Sequence, residues 1–306
     1  MTPLRDLVEE YLALRRALGY KLHRESWLLP RFVIFLDARG QTSITTALAV
    51  QWASEPVCTT NASAVHRLTM IRRFAEYVRA QDPRTEVPSR DLMPIVKHRQ
   101  PPYLYSDAEV QALLAACWRL RSRGVRRTAF TLFGLLAATG VRVGEAVALD
   151  RDDIDHRQGC LIVRHAKFNK SREVPLHATT LEALRVYAAH RDVAHPRPRS
   201  PSFFLTVSGT RPFVQNVWQT FARLRRLAAL SREPRAPRIH DLRHSFAMST
   251  VLRWSREGVD IQARLPVLST YLGHVGPSST YWYLTATPAL LELAAQRVEP
   301  WRGAHP

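Results

Sequence analysis

Residues 138–149 read ATGVRVGEAVAL, and this stretch decides how the rest of the chain is interpreted. Thr139 and Gly140 lie where a helix is expected to start, which places Arg142 in its first turn. Free backbone N–H groups and the positive end of the helix dipole favour an anion at such a turn. The stretch therefore predicts a seat for a phosphate or carboxylate. Taken alone, an ordinary surface ion pair between Arg142 and Glu145 is the simpler alternative.

Two stretches farther along the chain also carry pairs of candidate site residues. IHDLRHSF places His240 and Arg243 three residues apart, so that both project from one face of a helix. YLGHVGPSSTYWYL places His274 nine residues before Tyr283. Each pair alone is a weak signal, because the chain has 12 histidines and abundant arginine. For His244, a buried and hydrogen-bonded position in the core is the alternative to a role in a site.

A β-hairpin is predicted between these helical stretches. Residues 160–164 (CLIVR) and 172–176 (REVPL) are rich in β-forming side chains, and HAKFNKS, with Lys167 and Lys170, joins them. Residues 203–207 are a further candidate strand. A small sheet is therefore expected within a mainly helical chain.

The first hundred residues carry helical patterns. Thr2 and Pro3 are typical of an N-cap and a first helical residue, and apolar residues recur behind them at helical spacing until Gly19. Further helices are predicted over residues 27–36, 45–53 and 64–80. This part of the chain is therefore predicted to be all α.

A loss of periodicity separates this region from the rest. MPIVKHRQPPYLYS is basic and contains three prolines, which is typical of a linker. Ser106 and Glu109 form a capping box that starts a new helix, and Thr179 and Glu182 are predicted to open another over residues 181–190. We divide the chain into a helical domain (1–95), a basic linker (96–105) and a second domain (106–306).

The composition excludes several classes of protein. With 306 residues, of which 46% are hydrophobic and 23% charged, the chain can bury a core and is not expected to be disordered. The three cysteines lack C-x-x-C spacing, which argues against a disulfide framework and a zinc site. An acidic N-terminus and the lack of apolar stretches of about 18 residues predict neither a secretory signal nor a membrane span.

An excess of basic residues indicates a polyanionic partner. The chain has 44 Lys and Arg against 26 Asp and Glu, which gives a formal net charge of +18. A folded chain of this size rarely carries such a charge without a polyanion. Nucleic acid is therefore the leading partner, and a cytoplasmic, nucleoid-associated protein is expected.

Taken together, the motifs resemble those of the tyrosine recombinase (phage integrase) family. In order, they are A-T-G-x-R-x-x-E, a lysine in a β-hairpin, H-x-x-R-H, L-G-H and a tyrosine, and they span roughly residues 104–290. Several spaced motifs in the right order are far more specific than any one of them. The resemblance implies a mainly α fold with a small antiparallel β-sheet: a helical core-binding (SAM-like) domain, followed by an α+β catalytic domain that ends in a C-terminal helix.

The resemblance also implies the residues that make and break bonds. Tyr283 matches the nucleophile, which attacks a scissile DNA phosphate to give a 3′-phosphotyrosyl link and a free 5′-hydroxyl. Lys167 matches the lysine that protonates the leaving 5′-oxygen. The two glycines of the family's hairpin motif are absent here, so Lys170 remains a rival for that role. Tyr281 is the rival nucleophile, and spacing from the L-G-H motif favours Tyr283.

The remaining motif positions imply a cationic cradle for the phosphate. Arg142 and Arg243 match the two arginines that hold the non-bridging oxygens, and His240 and His274 match two assisting positions. Glu145 matches an acid expected to support Arg142. Two guanidiniums can stabilise the charge of an in-line displacement without a metal ion. Because the phosphotyrosyl bond retains the energy of the broken bond, no nucleotide cofactor is expected either.

The implied partners follow from the same resemblance. They are double-stranded DNA at specific recombination sites, further copies of the chain in a tetramer held by a C-terminal segment, and accessory recombinases; no membrane is involved. The amphipathic sequence PALLELAAQRV at residues 288–298 is suited to that exchange.

Three other functions compete with site-specific recombination. A non-catalytic DNA-binding relative would keep the fold and lose the chemistry, although every catalytic residue type is present. A type IB topoisomerase would share the chemistry. A basic RNA-binding protein would account for the charge alone, but no aromatic RNP-type signature is evident in the sequence.

Overall fold

The computed structural model describes residues 2–55, 61–93, 102–164, 171–230 and 236–274. The chain divides into two compact units, Met1–Arg99 and Gln100–Pro306. The described residues are mostly helical, with a three-stranded antiparallel sheet in the second unit. The predicted fold class, mainly α with a small antiparallel β-sheet, is confirmed. None of the helices within these ranges is long and apolar enough to cross a membrane.

Four helices build the described part of the N-terminal unit. They are α1 (Leu4–Ala17), α2 (Glu25–Asp37), α3 (Thr46–Ser54) and α4 (Asn61–Arg79). Their apolar faces meet around Phe32, Ile71 and Phe74, all fully buried. The predicted helices are confirmed with shifted ends, since Pro3 rather than Thr2 is the N-cap of α1.

The C-terminal unit contains the other helices of the described ranges. They are α5 (Asp107–Cys117), α6 (Arg123–Thr139), α7 (Val143–Ala148), α8 (Ala178–Ala194), α9 (Val214–Leu227), α10 (Asp241–Arg256) and α11 (Ile261–Leu272). They enclose a core around Phe133, Phe203 and Phe204. The predicted capping box at the start of α5 is confirmed, because Ser106 and Glu109 each bond the other's backbone N–H with a side-chain oxygen.

The sheet consists of one hairpin and a short edge strand. Its strands are β1 (Ile154–Asp155), β2 (Cys160–Val163) and β3 (Arg172–Pro175), in the order β1-β2-β3. Arg172 opens β3 directly opposite Val163, so the predicted hairpin is confirmed. Its connection, with Lys167 and Lys170, lies outside the described residues.

The strand predicted at residues 203–207 does not form. Only an isolated bridge forms, between Asp150 and Ser202, and Phe203 N donates to Leu149 O at 2.8 Å. Side chains provide further bonds: Arg191 Nη1 donates to Phe203 O at 3.0 Å, and Leu205 N donates to Tyr187 Oη at 3.2 Å. The apolar run therefore reflects burial in the core rather than strand pairing.

The start predicted for α8 is also wrong. His177 is its N-cap, and the imidazole Nδ1 accepts a hydrogen bond from Thr179 N at 3.3 Å. Glu182 forms no capping box with Thr179 and pairs instead with Arg185 at 2.8 Å. The helix consequently begins at Ala178, ahead of the predicted start.

Candidate active site

Arg142 lies between two helices rather than within the first turn of one. Thr139 is the last residue of α6, and Gly140 ends that helix in the left-handed conformation with φ of 62°. A Cβ at Gly140 would stand 2.7 Å from the Phe246 ring, so the turn needs glycine for its conformation and its space. The predicted helix start at Thr139 and Gly140 is therefore wrong, and Arg142 is the N-cap of α7.

Glu145 fixes the backbone and the side chain of Arg142 together. Arg142 N donates to Glu145 Oε2 at 3.0 Å, and Arg142 Nη1 donates to Glu145 Oε1 at 2.7 Å. The ion pair considered as the simple alternative does form, but it is largely shielded from water: the Glu145 side chain is 9% exposed and that of Arg142 30%. The pair therefore holds the Arg142 guanidinium in one orientation.

The C-terminal end of α11 collects the guanidinium groups of three arginines. Arg172 Nε donates to Tyr271 O at 2.9 Å, and Arg243 Nη2 donates to Leu272 O at 2.5 Å. Arg142 Nη2 donates to the carbonyl of the next residue, Gly273, at 2.9 Å. The last carbonyls of a helix lack intrahelical partners and lie at the negative end of its dipole. This helix end therefore attracts the three cations.

Arg243 links this helix end to the turn after α6. It belongs to the first turn of α10, is 2% exposed, and donates through Nη1 to Gly140 O at 2.7 Å. Its two carbonyl partners are far apart in sequence, so the side chain connects three parts of the unit. His240, the N-cap of α10, lies close enough to Arg142 and Arg243 for their charges to affect its pKa.

Three histidines beside these arginines are held neutral. Burial, followed by the nearby positive charges of Arg243 and Arg142, lowers the pKa of His274 to about 3. The same causes in the same order lower the pKa of His240. Burial and then His240, whose ring centroid lies 4.9 Å away, lower the pKa of His244 to about 4. At neutral pH these imidazoles are therefore uncharged.

Stability should therefore fall as the pH is lowered from 7 to 5. An unfolded histidine takes up a proton near pH 6.5, whereas folded His244 and His274 do so only near pH 4 and 3. Folding thus loses free energy as the pH falls below 6.5, on the order of 1–2 kcal/mol for each histidine by pH 5. Urea unfolding followed by tryptophan fluorescence at several pH values measures this loss.

The control for this prediction compares two histidines. His244→Gln should flatten the dependence of unfolding free energy on pH between 7 and 5, whereas substitution of exposed His156 by Gln should leave it unchanged. Glu145 does not interfere. Burial raises its pKa, but hydrogen bonds from Arg172 and Arg142 outweigh burial and bring the pKa to about 2. Equal pH slopes for His244→Gln and the unmutated protein would contradict the prediction.

Four of the six sequence-predicted site residues lie in the described ranges, and the structure brings them together. They are Arg142, His240, Arg243 and His274. Lys167 and Tyr283 lie outside the described residues, as do their rivals Lys170 and Tyr281. Arg172 was not predicted as a site residue; its place in the hairpin motif was the available signal.

Most of the C-terminal unit matches a known protein family. The profile described as the phage integrase family matches residues 104–289. The chain belongs to this family of tyrosine recombinases. Among its relatives in the phage integrase family, a Sinorhizobium fredii protein bearing the name integrase/recombinase y4rB is 40% identical over 98% of both chains. Tyrosine recombinase XerD of Mycobacterium tuberculosis is 30% identical over 90% of this chain and 80% of its own.

Solved structures of phage integrase family proteins share the fold. The Tn1549 transposon integrase in complex with transposon right end DNA has a TM-score of 0.68 at 17% identity, covering 96% of this chain and 98% of that one. XerH recombinase bound to palindromic difH substrate has a TM-score of 0.66 at 21% identity, covering 89% and 78%. At these identities the likeness extends to the fold alone.

Proposed function

We propose that this protein is a site-specific recombinase that cleaves and rejoins DNA through a 3′-phosphotyrosyl intermediate, in the service of a mobile element. The observation that carries the proposal is the convergence of Arg142 and Arg243 with His274 at the C-terminal end of α11, beside His240. Two guanidiniums and neutral imidazoles at one place suit a phosphodiester whose charge grows during attack.

In the proposed reaction the phosphate oxygens lie against Arg142 and Arg243. The phenol of Tyr283 attacks phosphorus, and its proton passes to a neutral imidazole such as that of His240. The bond from phosphorus to the 5′-oxygen breaks, and Lys167 donates the proton that turns the leaving alkoxide into a hydroxyl. Rejoining is the reverse of these steps with another 5′-hydroxyl.

The exposure of Arg142 and the burial of Arg243 support their proposed roles in binding the phosphate. Arg142 keeps part of its side chain accessible, whereas Arg243 is almost completely buried and bonds the backbone on both sides of the site. Burial lowers the local dielectric constant, which strengthens the attraction between a guanidinium and a phosphate. The roles of Tyr283 and Lys167 rest on their motif positions.

The proposed partner is duplex DNA at a specific site. The net charge of +18 supports many phosphate contacts and an affinity that falls steeply with salt. We assign core binding of DNA to residues 1–95 and catalysis to residues 106–306. A tetramer held by the segment around 288–298 is part of the proposal, as are accessory recombinases. The names of the integrase/recombinase relative and of the transposon integrase with a like fold favour a mobile-element role.

The proposed function is tested by trapping the covalent intermediate. Full-length protein is incubated with nicked duplexes tiled across the DNA that flanks its own gene, designed so that the short fragment carrying the free 5′-hydroxyl diffuses away. We expect an SDS-resistant protein–DNA band, and sequencing of the trapped DNA then maps the site. A non-catalytic relative would shift the same duplexes in a native gel and leave no SDS-resistant band.

A further inference from the structure

We propose that Arg172 is a positioning residue, which sets the orientation of Arg142 through Glu145 and the place of His274 through the backbone of α11. The inference rests on the proposed function and deepens it. Arg172 itself is 10% exposed at its side chain and is not proposed to contact DNA.

One guanidinium makes every contact that this role requires. Arg172 Nη2 donates to Glu145 Oε2 at 2.8 Å and Nη1 donates to Glu145 Oε1 at 3.2 Å, a two-point pairing of a planar cation with a carboxylate. Nε donates to Tyr271 O at 2.9 Å. These bonds tie Arg172 to Glu145 in α7 and to Tyr271 in α11, so the side chain fixes both helices relative to β3.

Glu145 is the member that passes this constraint to Arg142. Its Oε1 receives Arg142 Nη1 at 2.7 Å as well as Arg172 Nη1, and its Oε2 receives the Arg142 backbone N–H at 3.0 Å. A carboxylate held from one side by Arg172 can present only one geometry to Arg142. Without Arg172, Glu145 would keep only its two bonds from Arg142, so the two side chains would shift together.

Gly273 shows how closely Arg172 fits beneath the turn that carries His274. An ideal Cβ at Gly273 would stand 2.7 Å from Arg172 Nη1 and 2.8 Å from Cζ. Gly273 has φ of 66°, a conformation that favours glycine. The guanidinium therefore supports the turn at the point where α11 ends and His274 follows.

The position of Arg172 in sequence couples a third element to the site. Arg172 is the first residue of β3 and pairs with Val163 across the hairpin. The hairpin connection, in which Lys167 lies, ends shortly before it. The Arg172 side chain thus links the strand that follows the Lys167 connection to Glu145 and, through it, to Arg142, which is proposed to bind the phosphate.

A simpler interpretation is that Arg172 only stabilises the fold, as a buried ion pair. Two substitutions separate the interpretations. Arg172→Met removes the charge, whereas Arg172→Lys keeps it but cannot bond both oxygens of Glu145 and Tyr271 O at once. Arg185, exposed on α8 and paired with Glu182, provides the matched control as Arg185→Met.

The experiment measures three quantities for each full-length variant. The single-turnover cleavage rate and the DNA affinity are measured on the nicked duplex that the unmutated protein traps, and the thermal midpoint of unfolding is measured on the protein. We expect Arg172→Lys to keep the midpoint near that of the unmutated protein while cleavage slows about 100-fold, because misplacement by about 1 Å has costs of that size. Affinity should change less than about threefold, since Arg172 does not contact the duplex. Arg185→Met should cleave at the unmutated rate.

A double-mutant cycle then tests whether Arg172 acts through Arg142. If it does, Arg142→Lys combined with Arg172→Lys cleaves about as slowly as Arg142→Lys alone, whereas independent roles multiply to about 10⁴-fold. Multiplicative losses overturn the proposal, as does a cleavage rate that simply follows the thermal midpoint. If the unmutated protein traps no duplex, the proposed function itself fails; if it does and Arg172→Lys cleaves normally, only the positioning role fails.

Discussion

Replacement of Tyr283 by phenylalanine is expected to abolish covalent protein–DNA adducts while DNA binding stays within about twofold of that of the unmutated protein. The substitution removes one oxygen atom, which is the proposed nucleophile of the phosphotyrosyl bond. Because a phenylalanine ring has the same shape as a tyrosine ring, the substitution is not expected to unfold the protein. The measurement is the SDS-resistant band on a nicked duplex, set beside a native gel shift of the same duplex.

Tyr281 supplies the matched control for this experiment. It lies two residues before Tyr283 and is also a phenol, and on a helix side chains two residues apart point in nearly opposite directions. Tyr281→Phe should therefore form adducts at the unmutated rate. Adducts that persist in Tyr283→Phe and vanish in Tyr281→Phe would move the nucleophile to Tyr281.

The second large effect is expected at Arg243. Arg243→Ala should slow cleavage by at least about 10³-fold. The substitution removes a buried guanidinium that is proposed to stabilise the negative charge that builds up on the phosphate during attack. It also leaves Gly140 O and Leu272 O without the hydrogen bonds that Arg243 gives them, at 2.7 and 2.5 Å. An unsatisfied buried carbonyl costs about 1–3 kcal/mol, so the free energy of unfolding should fall as well.

Two comparisons separate the loss of chemistry from the loss of stability. Arg243→Lys keeps the charge and can satisfy one carbonyl, so its free energy of unfolding should be higher than that of Arg243→Ala. It should still cleave about 100-fold more slowly than the unmutated protein. Arg253→Ala, in the exposed last turn of the same helix, should leave the cleavage rate unchanged. Full cleavage by Arg243→Lys would mean that a lone positive charge suffices there.

Much of the site could be predicted because its members lie in local patterns. The Gly140 turn, the H-x-x-R pair and the L-G-H turn each carry a local signal, and the family resemblance indicates that they converge. Folding then places Arg142, Arg243 and His274 at one helix end. Helix existence was predictable for the same reason, since apolar spacing is local in sequence.

The errors arise where a local pattern has more than one structural solution. Thr139 and Gly140 suit either the end or the start of a helix, and the space beside Phe246 decides for the end. The apolar run at 203–207 suits either a strand or a core segment. It forms a core segment, in which Arg191 donates a hydrogen bond to Phe203 O.

The partners of Arg172 could not be found from any local pattern. They lie 27 and 99 residues away in sequence, at Glu145 and Tyr271. An arginine that opens a β-strand is ordinary until the fold brings a buried carboxylate beside it. Sequence spacing carries no signal for contacts at that separation.

The dependence of the arginines on α11 has a consequence for protein synthesis. The carbonyls that hold Arg142 come 130 and 131 residues after it in the chain. A ribosome delivers the amino end first, so a growing chain that stops before Leu272 cannot yet form these contacts. Arg142 therefore reaches its position beside α11 only late in synthesis.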